Sequence, residues 1–117
     1  MNENLLGLGD WLPSSCTMPT AEQPLRRAEF DALFGQDVLS VERKSSREVA
    51  LALKPESEVA ARAARLAAAE TECCSFFTFG FTITEGRVDM VVSTDLKHED
   101  VLAALAARAA SLVGTAA

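Results

Sequence analysis

Residues 76–92 read FFTFGFTITEGRVDMVV, and this stretch decides the fold. Phe77, Phe79, Phe81 and Ile83 alternate with small or polar residues, the period of a strand with one face buried. Glu85-Gly86 is a tight-turn signal. Val88, Met90 and Val92 then alternate in the same way. The spacing predicts a β-hairpin, with strands over 76–84 and 88–92 and the row Phe77, Phe79, Phe81, Ile83 in the core.

The same pattern occurs earlier. Asp37 to Arg43 reads as a strand, Lys44-Ser45-Ser46 as a polar turn, and Val49, Leu51 and Leu53 as the buried positions of a returning strand. Three helices flank the hairpins. Thr20 with Gln23 three residues on fits a capping box, Pro24 falls in the first turn, and Leu25, Phe30, Leu33 and Phe34 form an apolar face ended by Gly35. Pro55, Glu56 and Ser57 open an Ala-rich helix that runs to about Cys73. Its inner stripe is Val59, Ala63, Leu66, Glu70 and Cys73. Asp95 or Thr94 caps a last helix with Val101 or Leu102, Leu105, Ala109 and Leu112 inward. The expected fold class is α+β, a two-layer sandwich of two antiparallel hairpins in one sheet with helices packed on one face, in the order α-ββ-α-ββ-α. Residues 1–19, with Pro13, Pro19 and two early glycines, read as an N-terminal arm. Residues 20–117 read as one domain, and 117 residues suffice for a single core. Both hairpins precede an Ala-rich helix, but the residues show no convincing internal repeat.

Composition removes several function classes. The formal net charge is −6 and the basic residues are scattered, so neither nucleic acid nor an anionic membrane surface is an expected partner. The first eleven residues carry Glu3 and Asp10 and no basic cluster, so no signal peptide is expected. No apolar run is long enough to span a bilayer. A cytoplasmic location is the expectation. There, three cysteines, an odd number without a disulfide framework, would remain free thiols.

Those cysteines are the candidate chemistry. Cys73 and Cys74 fall where the long helix ends and the Phe-rich strand begins. Adjacent side chains diverge on a helix or a strand, so both thiols converge only if the backbone bends there. Thiolates favour soft ions. Structural zinc ordinarily takes four ligands in spaced pairs, a spacing absent here. A third thiol from Cys16 would make a three-sulfur site suited to Hg(II), As(III) or Cu(I) better than to Zn(II). The plain alternative is that all three thiols pack as small hydrophobes.

Glu70, one turn before the pair, either accepts a thiol proton or completes a coordination shell, or sits solvated at the edge of the stripe. A helix C-terminus beside Glu70 and Glu72 disfavours a thiolate, which suits metal capture better than an unaided nucleophile. Cys16 precedes a helix N-terminus with Arg26 and Arg27 beyond, and is the better candidate for electrostatic activation. His98, the sole histidine, reads as a surface residue. There is no Gly-rich phosphate loop and no Ser-His-Asp signature. The Cys-x5-Arg anion loop of phosphatase-like arsenate reductases is also absent, since Glu22 stands six residues after Cys16.

Two segments resemble a group of small bacterial proteins. Ser15-Cys16-Thr17-Met18-Pro19-Thr20-Ala21-Glu22 resembles their SCTLPTAE-type opening. Glu70-Thr71-Glu72-Cys73-Cys74-Ser75-Phe76-Phe77-Thr78-Phe79 resembles their E-x-x-C-C-x-F-[FL]-x-F segment. The resemblance runs from Trp11 over most of the chain. Such proteins are loosely associated with heavy-metal and arsenic resistance, sometimes under an arsenate-reductase label. The one-plus-two thiol pattern is also similar to that of organomercurial lyase, in pattern only. Both resemblances imply that Cys16, Cys73 and Cys74 act together, with Glu70 as a possible fourth member.

Three functions follow as expectations. The first is handling of a soft metal or metalloid, mercury, an organomercurial or arsenic, through the thiols, by binding or by turnover. The second is a thiol redox enzyme in which Cys16 attacks and Cys73 or Cys74 resolves. The third is a non-catalytic interaction module with structural cysteines, in which Leu5, Leu6 and Trp11 make homodimer contacts.

Overall fold

The computed structural model describes residues 23–73 and 75–115. Its elements, in chain order, are α1 (Gln23–Asp37), β1 (Val38–Ser45), β2 (Glu48–Leu53), α2 (Ser57–Cys73), β3 (Thr78–Thr84), β4 (Arg87–Ser93), a 3₁₀ turn (Leu96–His98) and α3 (Glu99–Leu112). The α+β expectation holds, with two antiparallel hairpins in one four-stranded sheet. The Thr20 cap and the arm lie outside the described residues.

The sheet order is β1-β2-β4-β3, antiparallel throughout. Each hairpin supplies one inner and one edge strand, and the hairpins meet through β2 and β4. Val49, Leu51 and Leu53 of β2 and Val88, Met90 and Val92 of β4 are buried, while the alternate residues of both strands are only partly covered. One face of the sheet is therefore the core face. Phe30, Leu33 and Phe34 of α1, Val59, Ala63 and Leu66 of α2, and Leu102, Leu105 and Ala109 of α3 complete it. Burying each valine, leucine or phenylalanine among them stabilises the fold by about 1.5–3 kcal/mol, so these three stripes hold the layers together.

Local chemistry explains the joints. Glu85 and Gly86 both have positive φ, 50° and 75°, as a two-residue turn matched to strand twist requires. Val59 and Ala60 donate their backbone N–H groups to the Glu56 carbonyl, so α2 starts at Ser57, two residues after Pro55. Asp95 caps the 3₁₀ turn by accepting from the His98 backbone N–H.

Four expectations need correction. Helix α1 does not stop at Gly35 but continues to Asp37 and passes directly into β1, so that strand starts at Val38 and runs on to Ser45. Strand β3 begins at Thr78 rather than Phe76. The aromatic row is not uniformly core. Phe77 is buried and Phe79 and Phe81 are half-buried, but Ile83 is 67% exposed. The reason is topological: β3 is an edge strand, and the helical layer does not cover its far end. His98 is not a free surface residue, for reasons given below.

Candidate functional site

Cys16 and Cys74, and the side chain of Cys73, lie outside the described residues. What the structure describes is the frame around the Cys73-Cys74 junction, on both sides of it.

Upstream of the junction, Glu70 is fully buried at 0% exposure. It lies on the same face of α2 as Val59, Ala63 and Leu66, as the stripe places it, and not at a solvated edge. Arg26 Nη1 of α1 donates to Glu70 Oε1 at 3.3 Å, across 44 residues of sequence. Arg26 is itself only 17% exposed and also faces Glu29 on its own helix at 3.7 Å. A buried carboxylate needs such a partner, because an isolated charge is costly to desolvate. The first turn of α1 is thereby tied to the last turns of α2. The contact also changes the electrostatics expected from sequence. Glu70 and Glu72 count there as two negative charges beside the thiols, yet Arg26 balances Glu70. Exposed Glu72 and the α2 C-terminus then supply the local negative potential.

Downstream of the junction, Phe76 and Phe77 pack together with ring centroids 4.8 Å apart. Thr94 Oγ1 donates to the Phe76 carbonyl at 3.2 Å. The His98 ring stacks on the Phe76 ring, 3.9 Å between centroids and 7° between planes. This stack leaves the His98 side chain 24% exposed. Asp95 Oδ1 lies 2.7 Å from His98 Nδ1 and also accepts from the His98 backbone N–H. The hydrogen bond to His98 holds the Asp95 carboxyl below its ordinary range. The segment just after Cys74 is thus gripped by the β4–α3 connection.

A groove of about 390 Å³ runs between α1 and α2, past Arg26, Arg62 and Arg65. Arg62 pairs with Asp37, and Arg26 with Glu70 and Glu29, so the guanidinium charge in this groove is largely balanced. It lacks the concentrated positive field that an oxyanion pocket uses. Among the described residues no group of three or more His, Cys, Asp or Glu side chains is placed to hold a metal ion. The three thiols are not among those side chains. No described helix is long and apolar enough to cross a membrane.

Sequence reasoning missed Arg26, Phe76, Thr94 and Asp95 as parts of this frame. The contacts of Arg26, Phe76 and Thr94 span 18 to 44 residues or depend on ring stacking, which no local periodicity reports, and Asp95 joins the frame only through His98, which the fold sets against Phe76. Comparison with protein-family models, with curated proteins and with solved structures finds no match. Fold and frame define a two-layer α+β protein with a clamped helix–strand junction that bears a cysteine pair.

Proposed function

We propose that this protein captures a soft metal or metalloid ion, Hg(II) or As(III) first, through Cys73 and Cys74 with Cys16 as the third thiol. The observation that carries the reading is the Arg26–Glu70 ion pair. It fastens the last turns of α2, four residues before Cys74, to the helix that follows the Cys16 segment. Cys16 precedes the start of α1 at Gln23 by seven residues, a length that spans at most about 25 Å when fully extended, so reach does not limit convergence. Glu70 acts in this proposal as a positioning residue, because Arg26 engages its carboxylate and holds the last turns of α2 to α1. The downstream clamp at Phe76 fixes the other end of the junction.

The chemistry is proton-balanced. Each thiol that coordinates the ion releases one proton, and a soft cation drives this deprotonation even at a helix C-terminus. Hg(II) takes two thiolates and releases two protons. As(III), added as arsenous acid, takes three thiolates and releases three waters. The capture requires no redox step. The reading takes residues 1–19 as the arm that delivers Cys16, and a reducing, cytoplasmic setting as the one in which the thiols stay free.

Native mass spectrometry of the full chain with one equivalent of Hg(II) or As(III) tests the proposal. The expected result is a one-to-one adduct with the mass loss given by that proton or water balance. Cys73→Ser/Cys74→Ser abolishes it, and Cys16→Ser weakens As(III) more than Hg(II). Unchanged affinity in the double variant overturns the proposal.

A further inference from the structure

The four-stranded sheet has two edges, and they are built differently. Edge β1 carries Glu42, Arg43 and Lys44, all exposed. Its register against β2 is broken twice, between Val38 and Ser40 and between Arg43 and Ser45. Charges and bulges are the ordinary guards of a sheet edge. Edge β3 has neither. Its sequence, Thr78-Phe79-Gly80-Phe81-Thr82-Ile83-Thr84, contains no charge and no proline. Its pairing with β4 runs unbroken from Thr78↔Ser93 to Thr84↔Arg87. Among the described residues β4 is its only strand neighbour.

We propose that β3 is the docking edge for a second copy of this chain, the two β3 strands pairing antiparallel about a two-fold axis at Phe81. The strand is self-complementary in that register. Phe81 meets its own copy, Phe79 meets Ile83, Thr78 meets Thr84 and Gly80 meets Thr82. Directly opposed residues of an antiparallel pair share a face. The pairing therefore sets Phe79, Phe81 and Ile83 of both copies in one apolar row on the helix side, and threonines and glycine on the other.

That row explains the burial gradient along β3. Phe79 and Phe81 are half-buried and Ile83 is 67% exposed, although all three point to the core side. Beside them α2 offers small residues. Ala64, Ala68 and Thr71 border a shallow depression of about 230 Å³ with Phe79 and Phe81, room into which a partner's apolar side chains fit. The edge is also the place where two chains of net charge −6 meet without opposing charges. The same-sign fields of the two bodies still repel at distance, so added salt strengthens this dimer by screening. An isologous two-fold contact closes on itself, so the uncharged edge ends in a dimer and not in a growing fibre.

Sedimentation equilibrium of the full chain under reducing conditions, over a concentration series, tests the proposal together with hydrogen exchange of residues 78–84. The expected result is a monomer–dimer equilibrium that tightens with salt, with amide protection in 78–84 growing as dimer forms. Ile83→Lys, at an exposed position, weakens the dimer by about tenfold or more with an unchanged circular dichroism spectrum. Phe81→Lys weakens it further by opposing two ammonium groups at the axis. Leu39→Lys, on the other edge, leaves it unchanged. A chain that is monomeric throughout overturns the proposal, as does a dimer that Ile83→Lys does not weaken. Protection of 78–84 already present in the monomer assigns the edge to residues 1–22 of the same chain and also overturns it.

Discussion

Helix α1 makes several ion pairs with its neighbours, and two of opposite polarity, one to α3 and one to α2, are not alike. Its Asp31 receives Arg108 of α3 through both carboxylate oxygens, Nε at 3.0 Å and Nη2 at 2.9 Å. Both side chains stay about 30% exposed, 30% for Arg108 and 29% for Asp31. The hydrogen bonds that Arg108 donates to Asp31 raise the Arg108 pKa above its ordinary value. Its Arg26 reaches Glu70 of α2 at 3.3 Å, and that carboxylate has no exposure at all. The first pair is a fork-to-fork fastening at the rim of the core, where desolvation is slight and geometry is good. The second places a full charge where a leucine would pack. Buried pairs of this kind often stabilise a fold no better than apolar residues of the same volume. The Asp31–Arg108 pair is explained by stability alone. The Arg26–Glu70 pair is better explained by what it holds, which is the end of α2 just before the cysteine pair.

Breaking the buried pair gives the largest expected effect. Glu70→Ala removes the buried carboxylate that Arg26 engages and opens a cavity, and should cost about 3–5 kcal/mol in urea titration. Arg26→Met/Glu70→Leu replaces the pair with apolar volume and should return stability to the wild-type value or above it. Under the proposed function, Hg(II) binding by that stable double variant is weaker than wild type, because the junction is no longer tied to α1. A double variant as unstable as Glu70→Ala would erase the distinction between the two pairs. A stable one with undiminished Hg(II) binding would remove Glu70 from the site.

The exposed pair comes next. Arg108→Ala should cost about 1 kcal/mol in the same titration, the upper end for a partly exposed pair. Arg108→Lys should recover little of it, because an ammonium cannot occupy both oxygens at once. The cost of Arg108→Ala should shrink as salt is raised, whereas that of Glu70→Ala should hardly change, since screening acts on exposed charges. Equal salt dependence of the two would place both pairs in the same environment and contradict their burial.

Much of this was legible in the residues, and the rest was illegible for identifiable reasons. The period of two in Val49-Leu51-Leu53 and Val88-Met90-Val92 marks the core face, and Glu85-Gly86 marks the hairpin. Both are local signals. Strand order is not local, so a row as apolar as Phe77 to Ile83 reads as core throughout although its strand lies at an edge. Glu70 sits on the inward stripe by spacing, which hints at its burial. Its partner, 44 residues away on another helix, leaves no such trace. His98 beside Glu99 and Asp100 has the composition of a surface turn, and only the fold brings Phe76 under its ring. The cysteines are the reverse case: they stand out as a pattern, and the described structure supplies the clamp on either side of the pair.

The smallest effect concerns the downstream half of that clamp. A third carboxylate, Asp95, is more exposed than Asp31 and serves one short turn. Asp95→Ala removes both the cap and the charge beside His98, while Asp95→Asn keeps a capping oxygen and removes the charge. Both should lower the melting temperature by less than Arg108→Ala, with Asp95→Asn the milder. The pH dependence follows from the lowered Asp95 pKa, caused first by its hydrogen bond to His98. A carboxyl depressed on folding stabilises the protein above its unfolded pKa and loses that contribution as pH falls through the folded one. The gap between wild type and Asp95→Asn should therefore hold near neutrality and close below about pH 4. Hydrogen exchange at residues 75–77 gives the structural readout, because His98 rests on Phe76. Faster exchange there in Asp95→Ala, with α1 and α2 unchanged, shows that this cap steadies the segment next to Cys74. Exchange that rises equally across the whole chain reduces Asp95 to an ordinary contributor to global stability and leaves Arg26–Glu70 as the one contact dedicated to the junction.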